Sequence, residues 1–191
     1  MKGVFVFLAD GFEEIEALAT VDVLRRGGVD VLTVSVDEDG FVTGAHEQTV
    51  CADMTLDQFM AELRVNGTTK EDVLIFPGGL PGAQNLADNE ILIKVMTRHW
   101  EDGGTVAAIC AAPGLVVSQL PGLEGLRFTC YPGFEAAPAA KGAIYTGAPV
   151  ETDGRLITGC GPGKAIEFGL AVLERVAGPE VASKVRSGML L

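Results

Sequence analysis

The sequence predicts an α/β fold in which a parallel sheet carries helices on both faces. Three observations lead there. Short apolar runs such as Gly3–Ala9 alternate with longer helical stretches. Gly3–Ala9 is a continuous apolar run, which suits a central strand covered on both sides. Strands separated by helices must pair in parallel through crossover connections.

Each element follows in order. Gly3–Ala9 is the first strand. Glu13–Gly27 is a helix, with apolar residues from Ile15 to Leu24, acids in its first turn and Arg25-Arg26 in its last, matching the helix dipole. Asp30–Val36 is the second strand. Asp37–Asp53 reads as a strand-turn excursion about Asp39-Gly40. Leu56–Leu63 is helical, and Val73–Phe76 is a buried strand ending in Pro77-Gly78-Gly79. Glu90–Glu101 is a helix, Thr105–Ile109 a strand and Ala111–Gln119 a helix. Arg127–Cys130 and Leu156–Thr158 read as later strands, followed by helices at Ala165–Ala177 and Glu180–Leu190. No repeat or linker interrupts this pattern, so residues 1–191 are expected to form one domain.

Composition excludes several function classes. A net charge of −12 gives no general attraction for phosphate backbones or anionic lipid, so neither nucleic acid nor membrane is an expected partner. After Lys2 the apolar run gives way at once to acids, without a cleavage pattern. The longest apolar candidate for a membrane span, Thr105–Val117, is broken by Pro113. A cytoplasmic setting is therefore expected, with Cys51, Cys110, Cys130 and Cys160 as free thiols. They form no CxxC, and with only His46 and His99 no metal-ligand spacing arises.

In open sheets of this kind, sites lie beyond the carboxyl ends of the strands. Cys110 stands where an apolar strand stops and a helix begins, among the small residues Ala108, Ala111 and Ala112. This is the mechanics of a nucleophile elbow without its GxSxG pattern. The helix N-terminus favours thiolate there, although position alone does not separate a reactive thiol from an inert buried one. Glu13 and Glu14 are placed to cap the first helix and face water. Glu16 lies roughly 200° round from Glu14 and points toward the protein, where a carboxyl must be neutral or well hydrogen-bonded. Pro77-Gly78-Gly79 offers backbone N–H groups that, with that of Ala111, form a candidate oxyanion pocket. The acidic loop Asp10–Glu16 is wrong for dinucleotide phosphates. Gly159–Lys164 fails as a P-loop, because Thr158 stands where its first glycine belongs and Ala165 replaces the metal-binding hydroxyl.

As a set, Glu-Glu-Ile-Glu-Ala (13–17), Val-Asp-Val-Leu-Arg-Arg (21–26), Pro-Gly-Gly (77–79), Gly-Ala-Gln-Asn-Leu (82–86), Ala-Ala-Ile-Cys-Ala-Ala-Pro (107–113) and Gly-Pro-Gly (161–163) resemble the ThiJ/PfpI superfamily. The closest branch is that of Parkinson disease protein 7 and its bacterial relatives. The resemblance covers the whole chain and implies a flavodoxin-like sandwich, dimeric and free of cofactors. It implies that Cys110 is the reactive cysteine and that Glu16 is hydrogen-bonded to it. Tyr131, Gly161 and Pro162 then line the site, with His46 and Arg26 as contributions to a dimer partner. Two departures stand out. Tyr131 occupies the place of a histidine near the cysteine in many relatives, and Cys160 that of an arginine. His99, beside Trp100 and Glu101, is expected at the surface.

The activity this implies is that of a glyoxalase or deglycase acting on methylglyoxal, glyoxal or their adducts. The alternative is a non-enzymatic redox sensor or chaperone in oxidative stress, working through oxidation of Cys110. A peptidase or amidotransferase is disfavoured by the missing histidine base.

Overall fold

The computed structural model describes residues 3–191. Lys2, used above in reading the start of the chain, lies outside them. In chain order the elements are β1 (Val4–Leu8), α1 (Glu14–Arg26), β2 (Val31–Ser35), β3 (Phe41–Thr43), β4 (Thr49–Cys51), β5 (Met54–Thr55), α2 (Leu56–Asn66), β6 (Val73–Phe76), α3 (Gly82–Asp88), α4 (Glu90–Glu101), β7 (Thr105–Ile109), α5 (Ala112–Leu115), β8 (Arg127–Phe128), α6 (Ala136–Ala140), β9 (Ile144–Tyr145), β10 (Val150–Asp153), β11 (Leu156–Gly159), α7 (Ala165–Ala177) and α8 (Pro179–Gly188).

The main sheet has seven strands in the order β10-β11-β7-β6-β1-β2-β5. All its pairings are parallel except β10 with β11. This is the flavodoxin-like arrangement, and chain order reverses between β1 and β6. Alternation along β1 serves two cores. Phe5 and Phe7 pack on the face holding Phe59, Phe76 and Trp100, while Val4, Val6 and Leu8 pack with Val23, Leu24 and Phe168 on the other. Phe7 stacks on Phe76 at 5.3 Å and meets Phe59 edge-on at 5.3 Å, a geometry that adds to simple burial.

Helix starts follow local chemistry. Thr55 and Gln58 form a reciprocal capping box at α2. Asn89 accepts the Leu92 N–H at 3.0 Å to start α4.

Several expectations are corrected. The turn expected at Asp39-Gly40 is present but leads into β3, and the β3-β4 hairpin itself turns at residues 44–48. The segment expected as one helix from Ala111 to Gln119 breaks after Leu115 into a 3-10 turn at Val117–Gln119, since Pro113 and Gly114 both weaken continuous helix. Arg127–Cys130 does not join the main sheet. Only Arg127 and Phe128 are extended, pairing with β9 in a separate ribbon.

Candidate active site

β1, β6, β7 and β11 end side by side, so their following loops share one crest of the sheet. Cys110 follows β7 with φ at +64°, a left-handed conformation unusual for a residue bearing a Cβ. Neighbouring strands hold it there. Its N–H donates to the Gly159 carbonyl at 2.9 Å, and its carbonyl accepts from the Tyr131 N–H at 2.8 Å. The elbow expected from sequence is thus present, with Cys110 half-buried.

Glu16 enters from the first turn of α1 and is 1% exposed. Its Oε2 accepts the Gly78 N–H at 2.8 Å, whereas Oε1 has no conventional hydrogen-bond partner. The two side chains converge on Gly78. A Cβ there would lie 2.6 Å from Cys110 Cβ and 2.7 Å from Glu16 Oε2, so only glycine lets the acid and the thiol meet. Gly79 has φ at +88°, and a Cβ would strike the Glu13 nitrogen at 2.4 Å. The N–H groups of Gly79 and Ala111 face the sulfur.

Electrostatics correct one expectation. Burial, then the charge of Glu16 and the hydrogen bond to it, push the Cys110 thiol up to about 12, against the pull of the Gly79 and Ala111 N–H groups. Burial raises the Glu16 carboxyl to about 7, against its hydrogen bonds from Gly78 and Cys110. The helix start therefore does not make a resting thiolate, because desolvation outweighs it. Near neutrality the proton sits on the Cys110 sulfur, beside a carboxyl close to its own midpoint. When that proton moves to Glu16, the carboxylate charge opposing the thiolate disappears and the acid can donate to sulfur.

Glu13 caps α1, its Oε2 accepting the Glu16 N–H at 2.7 Å, which fixes the turn that aims Glu16. Glu13 and Glu14 do not face water as expected: each is 8% exposed. The β3-β4 hairpin folds over them, with Gly11 N–H donating to Thr43 O at 2.7 Å and Ala45 N–H to Phe12 O at 2.8 Å. Glu14 accepts the His46 backbone N–H at 2.7 Å and pairs with its Nδ1 at 2.8 Å. His46 thus engages a carboxylate of its own chain, while its ring stays mostly exposed. Arg26 pairs with Asp22 at 2.6 Å, about 15 Å along α1 from Glu16, far from the Cys110 of the same chain.

Tyr131 is half-exposed, and its ring lies 3.3 Å from where a Gly161 Cβ would sit, with Pro162 next in chain. Tyr131 and Gly161 thus lie against each other, with Tyr131 tied to Cys110 through its backbone N–H. No histidine reaches Cys110. His99, expected at the surface, is 1% exposed at the opposite end of the sheet, its Nε2 between the carbonyls of Asp72 at 3.1 Å and Thr105 at 3.2 Å. Its position in the stripe Leu92, Val95, Met96, His99 is the sequence signal for that burial. The Gly159 carbonyl is a site element the sequence reading did not single out, whereas the capping role expected of Glu13 is present.

Among the described residues, one group could hold a metal: ligand atoms of Glu13, Glu14 and His46 lie within 4.8 Å of one another. Both carboxylates are already engaged, Glu13 as the cap and Glu14 with His46. A crevice of about 760 Å³ opens at the other end of the sheet, lined by Gly28, Lys70 and Arg175. No cysteine or histidine lines it, so chemistry and not volume locates the candidate site.

A flavodoxin-like sheet with a left-handed cysteine at its crest and a buried acid beside it defines a class of cysteine-centred α/β proteins. Residues 2–175 match the DJ-1/PfpI family. Protein DJ-1 homolog A of Arabidopsis thaliana is 37% identical over 190 residues, all of this chain and 47% of that protein. The chain spans about half the length of such plant relatives or less. The Parkinson disease protein 7 homolog of Danio rerio is 34% identical, covering 100% of this chain and 97% of its own. A Caenorhabditis elegans protein named glutathione-independent glyoxalase DJR-1.2 is 31% identical, covering 94% and 90%. Drosophila melanogaster DJ-1beta superposes with a TM-score of 0.88 at 31% identity, covering 100% and 98% of the two chains. The chain belongs to the DJ-1/PfpI family.

Among the described residues no helix is long and apolar enough to cross a membrane.

Proposed function

We propose that this protein is a glutathione-independent glyoxalase or deglycase, using Cys110 as nucleophile and Glu16 as proton shuttle on methylglyoxal, glyoxal or their adducts. The observation that carries the reading is the buried carboxyl held near 7 against a thiol on a left-handed residue. A group titrating near the operating pH is the most effective general acid-base catalyst.

The steps follow from the pair. Glu16 takes the thiol proton as sulfur attacks the aldehyde carbon of methylglyoxal, and returns it to the resulting alkoxide, giving a hemithioacetal. The Glu16 carboxylate then removes the hydrogen on that carbon and delivers it to the neighbouring carbon, leaving a lactate thioester. Water cleaves the thioester to lactate and restores the thiol. The N–H groups of Gly79 and Ala111 steady the oxyanion. Lactate formed from methylglyoxal without glutathione is the test. Undiminished turnover in Cys110→Ala would refute the reading.

A second reading rests on the Glu16 carboxyl, which reaches the Cys110 thiol and keeps a buried Oε1 free of other partners. Protonated, it can donate to an oxidised Cys110, as a redox sensor requires. Selective gain of two oxygens on Cys110 under mild peroxide supports that role.

We further propose a cytoplasmic homodimer. Ile15 (58% exposed) and Leu18 (41%) on α1, with Phe41 (57%) on the hairpin, leave apolar surface for a second copy, to whose site His46 and Arg26 would contribute.

A further inference from the structure

Of the three thiols that the proposed chemistry does not use, two lie near Cys110. Cys130 follows β8 and Cys160 follows β11, and their chain segments run alongside each other past Cys110. On one side of the pair, the Thr129 N–H donates to Thr158 Oγ1 at 2.9 Å. On the other, the Tyr131 ring lies 3.3 Å from the Cβ position of Gly161. Cys110 bridges both segments, accepting from Tyr131 N–H at 2.8 Å and donating to Gly159 O at 2.9 Å. Residues flanking Cys130 thus touch residues flanking Cys160. The two sulfurs are also close enough for a charge on Cys160 to oppose ionisation of Cys130. By contrast, Cys51 is exposed on β4, and the groups that act on the Cys110 thiol are Glu16, Gly79 and Ala111, none of them a thiol.

We infer that Cys130 and Cys160 form a reversible disulfide, made by a hydroperoxide, that ties the Tyr131 segment to the Gly161 turn beside Cys110. Accessibility assigns the roles. Cys160 is half-buried and meets the oxidant, whereas Cys130 is fully buried. The Cys160 sulfur attacks the peroxide, whose O–O bond breaks. This gives a sulfenic acid and releases the alcohol, or water if the oxidant is hydrogen peroxide. The Cys130 sulfur then attacks the Cys160 sulfur, the S–O bond breaks, and hydroxide leaves with the Cys130 proton as a second water. Two thiols lose two electrons and two hydrogens, and one peroxide is reduced. Thiol exchange reverses the bond.

The bond would close a loop of about 30 residues that includes α6, β9 and β10, and would hold together the two segments that Cys110 bridges. It places a redox-controlled latch on the site that needs no oxidation of Cys110 itself.

The experiment treats folded Cys110→Ala protein with hydrogen peroxide, quenches in acid, unfolds, alkylates remaining thiols and maps peptides by mass spectrometry. The result expected is loss of two hydrogens, a Cys130–Cys160 cross-linked peptide, alkylated Cys51, and reversal by dithiothreitol. The same treatment of wild type should give that peptide too, with Cys110 outside it. Alkylation of both Cys130 and Cys160 after peroxide, or a disulfide joining either to Cys110 in wild type, would overturn the inference. Because the bond is sought in a variant lacking the nucleophile, failure here is distinct from failure of the glyoxalase reading.

Discussion

Replacing Glu16 by Gln tests the central pair through stability as well as activity. Burial raises this carboxyl from 4.5 to about 7, a shift of roughly 2.5 units, or about 3 kcal/mol at 1.36 kcal/mol per unit. Between those pH values the native state still holds a proton that the unfolded chain has released. Stability therefore falls as pH rises through that window, and the full loss is present above it. Glutamine keeps an oxygen to accept the Gly78 N–H but carries no charge to bury. The difference in unfolding free energy, variant minus wild type, should grow by about 3 kcal/mol between pH 4.5 and about pH 8, measured by urea titration. In melting temperature this is roughly 6–12 °C for a chain of this size. Lactate formation should fall at the same time. Parallel pH profiles for the two proteins would refute the claim that Glu16 is held protonated near neutrality by burial.

Other outcomes follow from the same geometry. The wild-type rate should rise with pH through about 7, as Glu16 becomes able to accept the thiol proton, and steady-state kinetics across that range would reveal a flat profile if it does not. Gly78→Ala puts a methyl 2.6 Å from Cys110 Cβ, so turnover should drop on the order of 100-fold with a stability loss of about 1–3 kcal/mol. Burial lowers the His99 pKa, so below about 6.5 the unfolded chain takes up a proton first and stability falls with falling pH; His99→Gln should flatten that acid limb in urea titrations. Ile15→Glu should convert a dimeric mass in solution to a monomeric one, and an unchanged mass would exclude α1 from the interface.

How legible these features were depends on length and burial. β6, β7 and α7 match their expected bounds because each is a short fully apolar strand or a long amphipathic helix. The inward turn of Glu16 was legible from helical rotation, but the same argument put Glu14 in water, where the β3-β4 hairpin in fact covers it. α3 was missed because Gly82–Asp88 follows a run of Gly and Pro that reads as loop, and its stability comes from burying Ala83 and Leu86. β10 is four residues long and reads Val-Glu-Thr-Asp, with no apolar run to announce an antiparallel edge. The height of the Cys110 thiol could not be read either, since a helix start and a buried acid pull in opposite directions and only the packing decides between them.

Trp100, the single tryptophan of the chain, has a consequence for measurement. It is 5% exposed, and the guanidinium of Arg155 stacks on its ring at 3.4 Å. It closes α4, hard by His99 and the start of β7, at the opposite pole from Cys110. Its fluorescence should therefore signal loss of the native structure while staying indifferent to aldehydes or oxidants at the crest. The protein carries its own optical gauge of unfolding, one that can be read during catalysis without interference from it.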